Sequence, residues 1–185
     1  PPRCLAGMRL GFYEHSSVGR DLLRELLEQL GAEVISLGRV DEFVPIDTEA
    51  VSTADIEQAR RWAAQYAFDA ILSTDGDADR PLLGDENGDW FRGDVAAILC
   101  AHYLGAQAVA TTVSCNTAVE LCGAFPQVVR TRIGSPYVIE GIEQLLAAGA
   151  RNVGRFLPPL PLRTVGDTRR NPRNDYQPHP ASDAR

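Results

Sequence analysis

The stretch AILSTDGDADR, residues 70–80, decides how the rest of the chain is read. Ala70–Thr74 has the short apolar character of a buried strand, and it runs without a break into Asp75, Asp77 and Asp79. Carboxylates at i, i+2 and i+4 repel one another, and packing that charge closely calls for a counter-cation. Gly76 and Ala78 keep the intervening positions small, so on a tight loop the alternate side chains can converge on one hard ion. An all-carboxylate set selects Mg²⁺ or Ca²⁺ over softer metals. The loop also leaves the carboxyl end of a strand, where open α/β sheets bind their ligands. Arg80 follows at once with a planar fork suited to phosphate oxygens.

Outward from this loop, strand and helix patterns alternate. Upstream, Arg9–Tyr13 and Glu33–Leu37 read as strands. Between them Ser16 or Ser17 should cap a helix with an apolar stripe of Leu22, Leu23, Leu26, Leu27 and Leu30, stopped by Gly31. Residues 38–51 read as a loop, and Ser52 with Asp55 has the spacing of a capping box for a helix to about Tyr66. Downstream, 81–83 and 89–91 flank Asp85-Glu-Asn-Gly88, a hairpin signal. A helix over 94–104, a strand over 108–113, a short helix from Thr117 and a strand over 128–131 follow. Ser135-Pro136 then opens a helix that should bury Ile139, Ile142, Leu145 and Leu146 and end at Gly149, before a last short strand over 152–156.

This alternation implies βαβ crossovers. The expected fold class is α/β: two small three-layer α/β/α domains with mixed, mostly parallel sheets. The expected limits are a leader over 1–8, a first domain over 9–88, a shorter second one over 89–156, and a disordered tail over 157–185. That tail is rich in Pro, Arg, Asn and Asp and has almost no apolar period.

Composition removes several functions. The 185 residues carry a net charge of −7, and no apolar run approaches the ~20 residues of a membrane span. Neither a membrane nor a nucleic-acid backbone is an expected partner, because no basic cluster precedes the tail. Residues 1–6 have no apolar core of a secretory signal. All 18 Lys and Arg residues are Arg. Schiff-base and P-loop chemistry both need a lysine that these residues do not supply. Cys4, Cys100, Cys115 and Cys122 form no metal-ligand spacing; Cys100 and Cys122 sit among apolar residues and read as buried, reduced thiols, which suits a cytoplasmic protein.

Two other uses of the acidic run compete. An EF-hand would place Glu86 twelfth from Asp75, but its sixth position is Arg80 where a glycine is needed. An aspartyl-phosphate phosphatase would also put Asp-x-Asp after a strand, but would call on a downstream lysine. Elsewhere, His102 reads as a half-buried structural residue and His179 as part of the tail. Trp62 and Trp90 read as core or hairpin packing.

The run from Asp75 to Arg80, with Gly84-Asp-Glu-Asn-Gly88 and Arg92-Gly-Asp94 behind it, resembles the metal-loop region of the α-D-phosphohexomutases, the phosphomannomutases and phosphoglucomutases. MRLGFYEHSSVGRDLL from Met8 is similar to the start of that family's second domain, and TRIGSPYVIE from Thr131 to a sugar-contacting segment of its third. The resemblance covers about residues 8–155. It implies phosphoryl transfer between two positions of a hexose phosphate, through a phosphoserine and a bisphosphorylated intermediate. It assigns Mg²⁺ to Asp75, Asp77 and Asp79, an active-site arginine to Arg80, and substrate contacts to Arg80, Gly134 and Ser135.

The departures shape the expectation as much. No Thr-x-Ser-His-Asn nucleophile loop and no Gly-Glu-x-Ser-Gly substrate loop occur in these residues. Ser16 and Ser17 beside His15 read as a helix cap. Ser114 or Cys115 stands where many relatives have a lysine, and Ser135 where they have a histidine after glycine. The expectation is therefore a second domain with part of a third, binding Mg²⁺ but inactive by itself, its pattern ending soon after Phe156 as a deletion or altered frame would leave it. The alternative is a non-catalytic metal-binding or scaffold module, associating with a full-length relative through faces that the missing domains leave exposed.

Overall fold

The computed structural model describes residues 3–48, 50–157 and 160–166. Two four-stranded sheets use these residues in turn. The first is built from β1 (Arg9–Tyr13), α1 (Arg20–Gln29), β2 (Glu33–Leu37), α2 (Thr53–Tyr66), β3 (Ala70–Thr74) and β4 (Pro81–Gly84). The second follows α3 (Gly93–Tyr103) with β5 (Ala108–Thr112), α4 (Ala118–Leu121), β6 (Gln127–Thr131), α5 (Ser135–Ala147), β7 (Asn152–Leu157) and β8 (Leu160–Gly166). The strand orders are β2-β1-β3-β4 and β6-β5-β7-β8, so one topology is used twice. In each sheet three strands are parallel and the last is antiparallel to its neighbour. The α/β reading with mixed, mostly parallel sheets holds.

Period-two alternation in β5 accounts for the layering of the second unit. Val109 packs with Ile98, Ala101, Val119 and Phe125 on one side, while Ala108 and Ala110 pack with Val138, Ile142 and Leu145 on the other. Gly141 lets α5 approach closely: a Cβ there would lie 2.8 Å from the Thr131 side chain and 3.3 Å from that of Ala110. In the first unit Leu37, Ala59, Ala63, Phe68 and Ile71 form the core beneath α2, with Trp62 and Trp90 half-buried against it, as their reading required.

Several expectations change. Helix α1 starts at Arg20 behind Gly19, with no side-chain cap, because both candidate serines are engaged elsewhere. Ser16 Oγ accepts from the Val44 N–H, and Ser17 Oγ pairs with Thr74 Oγ1. The leucine stripe of α1 is not a buried face: Leu22 is 72% exposed and Leu26 48%. In α5 Ile142 and Leu145 are buried as expected and Leu146 is half-buried, but Val138 is buried where Ile139 was expected, and Ile139 is exposed. Cys100 and Cys122 are exposed, Cys115 alone is buried, and all four are free. His102 is exposed in the last turn of α3. Residues 160–166, included in the expected tail, form β8; Pro161 fits there because an edge strand tolerates a missing N–H. The rest of that tail, 167–185 with His179, lies outside the described residues.

The exposure of Ile139 has a direct test. Ile142→Ala should cost about 2–5 kcal/mol, and Ile139→Ala less than about 0.5 kcal/mol, in urea unfolding followed by circular dichroism. Equal costs would return α5 to the face read from its sequence.

Candidate metal centre

The acidic loop is the turn of the β3–β4 hairpin. Antiparallel pairing runs from Ile71↔Gly84 to Thr74↔Pro81, so residues 75–80 must reverse the chain at once. The Asp75 N–H donates to the Arg80 carbonyl at 3.2 Å, and the Ala78 N–H to the Asp75 carbonyl at 3.2 Å. Ala78 takes φ +64°, a left-handed conformation that closes the turn. The hairpin expected between 81–83 and 89–91 is reduced to one bridge, Gly84↔Trp90, around the Asp85–Gly88 turn. Strand β4 instead spends its ladder on β3.

The turn brings the expected ligands together. Asp75, Asp77 and Asp79 each offer a carboxylate oxygen within 4.8 Å of the others. Asp75 is buried and the other two are exposed, so the site opens to solvent on one side. Burial works to raise the Asp75 pKa, but the Arg80 side chain, its backbone N–H and its positive charge outweigh that and hold the carboxyl below its usual range. Asp79 is pushed the other way, by desolvation first and then by the negative charges of Asp77 and Asp75. That repulsion, which the nearby Arg80 charge offsets only in part, fits a hard divalent cation in a set made only of carboxylate oxygens.

Arg80 is where the sequence places it, though its partner differs. Its Nε donates to Asp75 Oδ2 and lies 3.5 Å from Asp79 Oδ1. The guanidinium thus leans on the carboxylates rather than standing ready for a phosphate.

Gly134 and Ser135 are in the second sheet's unit, after the carboxyl end of β6. Gly134 has φ +129° and its carbonyl accepts the Val138 N–H that begins α5. Beside them a cleft of about 410 Å³ is lined by Arg130, Arg132, Tyr137, Glu140 and Gln144. The Arg132 guanidinium lies over the Tyr137 ring at 5.6 Å. The loops after β3 and β6 each leave the carboxyl end of a parallel strand, in separate sheets.

Ser114 Oγ lies 2.9 Å from Thr112 Oγ1, and burial above all pushes the Cys115 thiol up. Arg130 closes this end of β5 by donating to the Thr112 and Cys115 carbonyls and to both Glu120 oxygens. Asp94 anchors the same region, accepting the Asn116 N–H at 2.8 Å and pairing with Arg92. Desolvation raises the Asp94 pKa, but hydrogen bonds from Arg92 and Asn116 and the charge of Arg92 leave it lowered overall. A lowered folded pKa stabilises the chain above the unfolded value and is lost as pH falls through the folded one. Unfolding midpoints of the wild type should therefore drop below about pH 4, and Asp94→Asn should flatten this acid limb and cost about 1 kcal/mol at neutral pH. An unchanged acid limb would remove Asp94 from that role.

Sequence reasoning missed the turn between β1 and α1 as part of this region. His15 and Ser17, read as cap neighbours, are fully or nearly fully buried against Thr74. Their only signal was a polar cluster after a strand, which a helix cap explains equally well.

Comparison with known proteins bears on all of this. Residues 4–88 match the family described as phosphoglucomutase/phosphomannomutase, alpha/beta/alpha domain II. The chain is 53% identical over 162 residues to a phosphomannomutase of Salmonella muenchen, covering 85% of this chain and 34% of that protein. It is 46% identical over 156 residues to a phosphomannomutase of Sinorhizobium fredii, covering 84% and 33%. Its fold resembles a phosphoglucomutase/phosphomannomutase family protein of Burkholderia thailandensis, with TM-score 0.60 at 20% identity, over 80% of this chain and 33% of that one. It also resembles an Aspergillus fumigatus N-acetylphosphoglucosamine mutase solved with GlcNAc-6P and magnesium, with TM-score 0.55 at 18% identity, over 90% and 38%. The chain spans about one third of the length of the curated relatives it matches. Among the described residues no helix is long and apolar enough to cross a membrane.

Proposed function

This chain belongs to the phosphoglucomutase/phosphomannomutase family, and we propose that it supplies the cation site for intramolecular phosphoryl transfer on a hexose phosphate. The observation that carries this reading is the convergence of Asp75, Asp77 and Asp79 on the turn after β3. A divalent ion bound there would neutralise phosphoryl charge and polarise phosphoryl oxygens. The chain's own residues do the rest of the work at this point. The three carboxylates hold the site, with Asp75 kept ionised by Arg80. Arg80, beside the three carboxylates, would offer its planar fork to phosphate oxygens. Gly134 and Ser135, between β6 and the first turn of α5, would offer backbone and hydroxyl groups to the sugar. We also propose domain limits of 9–88 and 89–156, a division supported by the strands' separation into two sheets.

Mg²⁺ titration by calorimetry tests the reading. The wild type should bind one Mg²⁺ per chain, and Asp77→Ala should bind none measurably, without loss of fold by circular dichroism. Absence of binding by the wild type, or equal binding by Asp77→Ala, would overturn it. In the same preparation, turnover of a hexose phosphate with a sugar 1,6-bisphosphate activator should be absent, because these residues contain no Thr-x-Ser-His-Asn nucleophile loop. The phosphatase alternative finds less support. Both Asp75 oxygens accept from Arg80, which leaves the carboxylate poorly placed as a nucleophile.

A further inference from the structure

The turn between β1 and α1 touches the acidic loop at three points, and each falls on the residue just before a carboxylate. His15 Nε2 lies 2.8 Å from the Thr74 carbonyl, next to Asp75. The Val18 N–H donates to the Gly76 carbonyl at 3.0 Å, next to Asp77. Gly19 packs so closely on Ala78, next to Asp79, that a Cβ at position 19 would lie 2.6 Å from the Ala78 methyl. Ligand spacing on the loop is thus matched, one for one, by contacts from a segment about 60 residues away in sequence.

The His15 contact is the most constrained of the three. A carbonyl only accepts, so Nε2 carries a proton and donates it. Nδ1 is buried without a partner, and the residue has 0% exposure and φ +31°. A buried unsatisfied nitrogen and a left-handed backbone at a non-glycine residue both cost free energy. An apolar side chain would fill the space without the first of these costs. What it could not provide is the Nε2–H. The Thr74 carbonyl lies past the end of the β1–β3 ladder at Phe12↔Leu72, and beside the 2.8 Å contact from His15 it has only a long 3.4 Å bond from the Ser73 hydroxyl.

The peptide joining Thr74 to Asp75 is planar, so holding its two ends fixes its orientation. His15 holds the carbonyl end, and the Arg80 carbonyl accepts the Asp75 N–H at the other. Side-chain hydroxyls reinforce the joint. Thr74 Oγ1 donates to the Asp75 carbonyl at 2.9 Å, which makes Ser17 Oγ the donor in its 2.8 Å bond to Thr74 Oγ1. The Gly19 N–H in turn donates to Ser17 Oγ at 3.4 Å.

We propose that His15 is a positioning residue for the cation site, acting with Val18 and Gly19 to set the spacing of Asp75, Asp77 and Asp79. The inference rests on the reading of those aspartates as cation ligands. Outer-shell partners that orient metal ligands are worth about 10- to 100-fold in metal affinity.

Calorimetric titration of the whole chain with Mg²⁺ tests it, beside thermal unfolding in chelator. His15→Ala should weaken Mg²⁺ binding by about 10-fold or more, while His15→Gln, which keeps an N–H near the same place, should stay within about 3-fold of wild type. Gly19→Ala should weaken binding through Ala78 without touching any hydrogen bond of His15, and it serves if His15→Ala does not fold. A merely structural role would lower the melting temperature in chelator and leave the Mg²⁺ dissociation constant of the folded chain unchanged. Unchanged affinity in a folded His15→Ala or in Gly19→Ala would overturn the positioning role alone. Failure of the wild type to bind Mg²⁺ would overturn the cation site and this inference together.

Discussion

Gly88→Ala should destabilise the first sheet's unit by roughly 2–5 kcal/mol, combining a left-handed backbone penalty with overpacking. Gly88 is buried with φ +78°, at the end of the turn that begins at Asp85. A Cβ at this position would lie 2.5 Å from the Ala59 carbonyl carbon and oxygen and 2.7 Å from the Arg60 nitrogen. Those atoms are the backbone of α2, so no side-chain rotation relieves the clash, and the helix must move off the core that Ala59 and Ala63 make with Ile71. Gly7→Ala, in the same unit, is the control. Its φ is +86° and nothing lies within 4 Å of an added Cβ, so only the conformational penalty of about 1–2 kcal/mol remains. Both tryptophans, Trp62 and Trp90, pack on the first core, so urea unfolding followed by fluorescence reports this unit directly. If the two variants lose equal stability, the close packing of the 85–88 turn on α2 is not what holds that turn.

Asp75→Ala should have the largest effect on metal binding, weakening Mg²⁺ affinity by more than the roughly 100-fold upper range of outer-shell changes. Asp75 is the buried member of the triad and the one whose carboxylate orients Arg80, through both the guanidinium and the backbone N–H. Its loss therefore also leaves a half-buried guanidinium with a weaker partner, at a cost of about 1–3 kcal/mol in the metal-free chain. Asp77→Asn separates the two roles. It should also abolish tight Mg²⁺ binding, yet leave the metal-free urea midpoint unchanged or slightly raised, since it removes one of the charges that oppose ionisation of Asp79. Parallel stability losses in the two variants would mean that the loop is held by the three carboxylates jointly rather than by the Asp75–Arg80 pair.

The strands were the most legible part of the fold. Arg9–Tyr13, Glu33–Leu37 and Ala70–Thr74 occur where the apolar runs stand, because each is short and bounded by glycine or polar residues. The α2 start was legible for a local reason: Ser52 Oγ accepts the Asp55 N–H three residues on, so the cap needs no distant partner. The start of α1 was not, because Ser17 has a competing partner in Thr74, 57 residues away, and burial favours that bond. Helix faces failed at the level of a single residue. Val138 and Ile139 are both apolar, and only the approach of α5 to the sheet at Gly141 decides which of them is covered. Proline content hid β8, whose pairing depends on the presence of β7 as a neighbour.

The candidate site divides along the same line. The sequence alone determined the chemistry, since three aspartates at alternate positions after a strand offer hard oxygens whose charge needs a cation. It also determined that Arg80 would stand beside them, because residues this close on a tight turn cannot separate. The tertiary structure decided the inequality among the three, with Asp75 buried and paired while Asp77 and Asp79 face solvent. It alone placed His15, Val18 and Gly19 behind the loop, since their contacts with residues 74, 76 and 78 arise from parallel pairing of β1 with β3. A local pattern can specify which atoms a loop offers, but the orientation of its peptide planes is set by partners that only folding brings near.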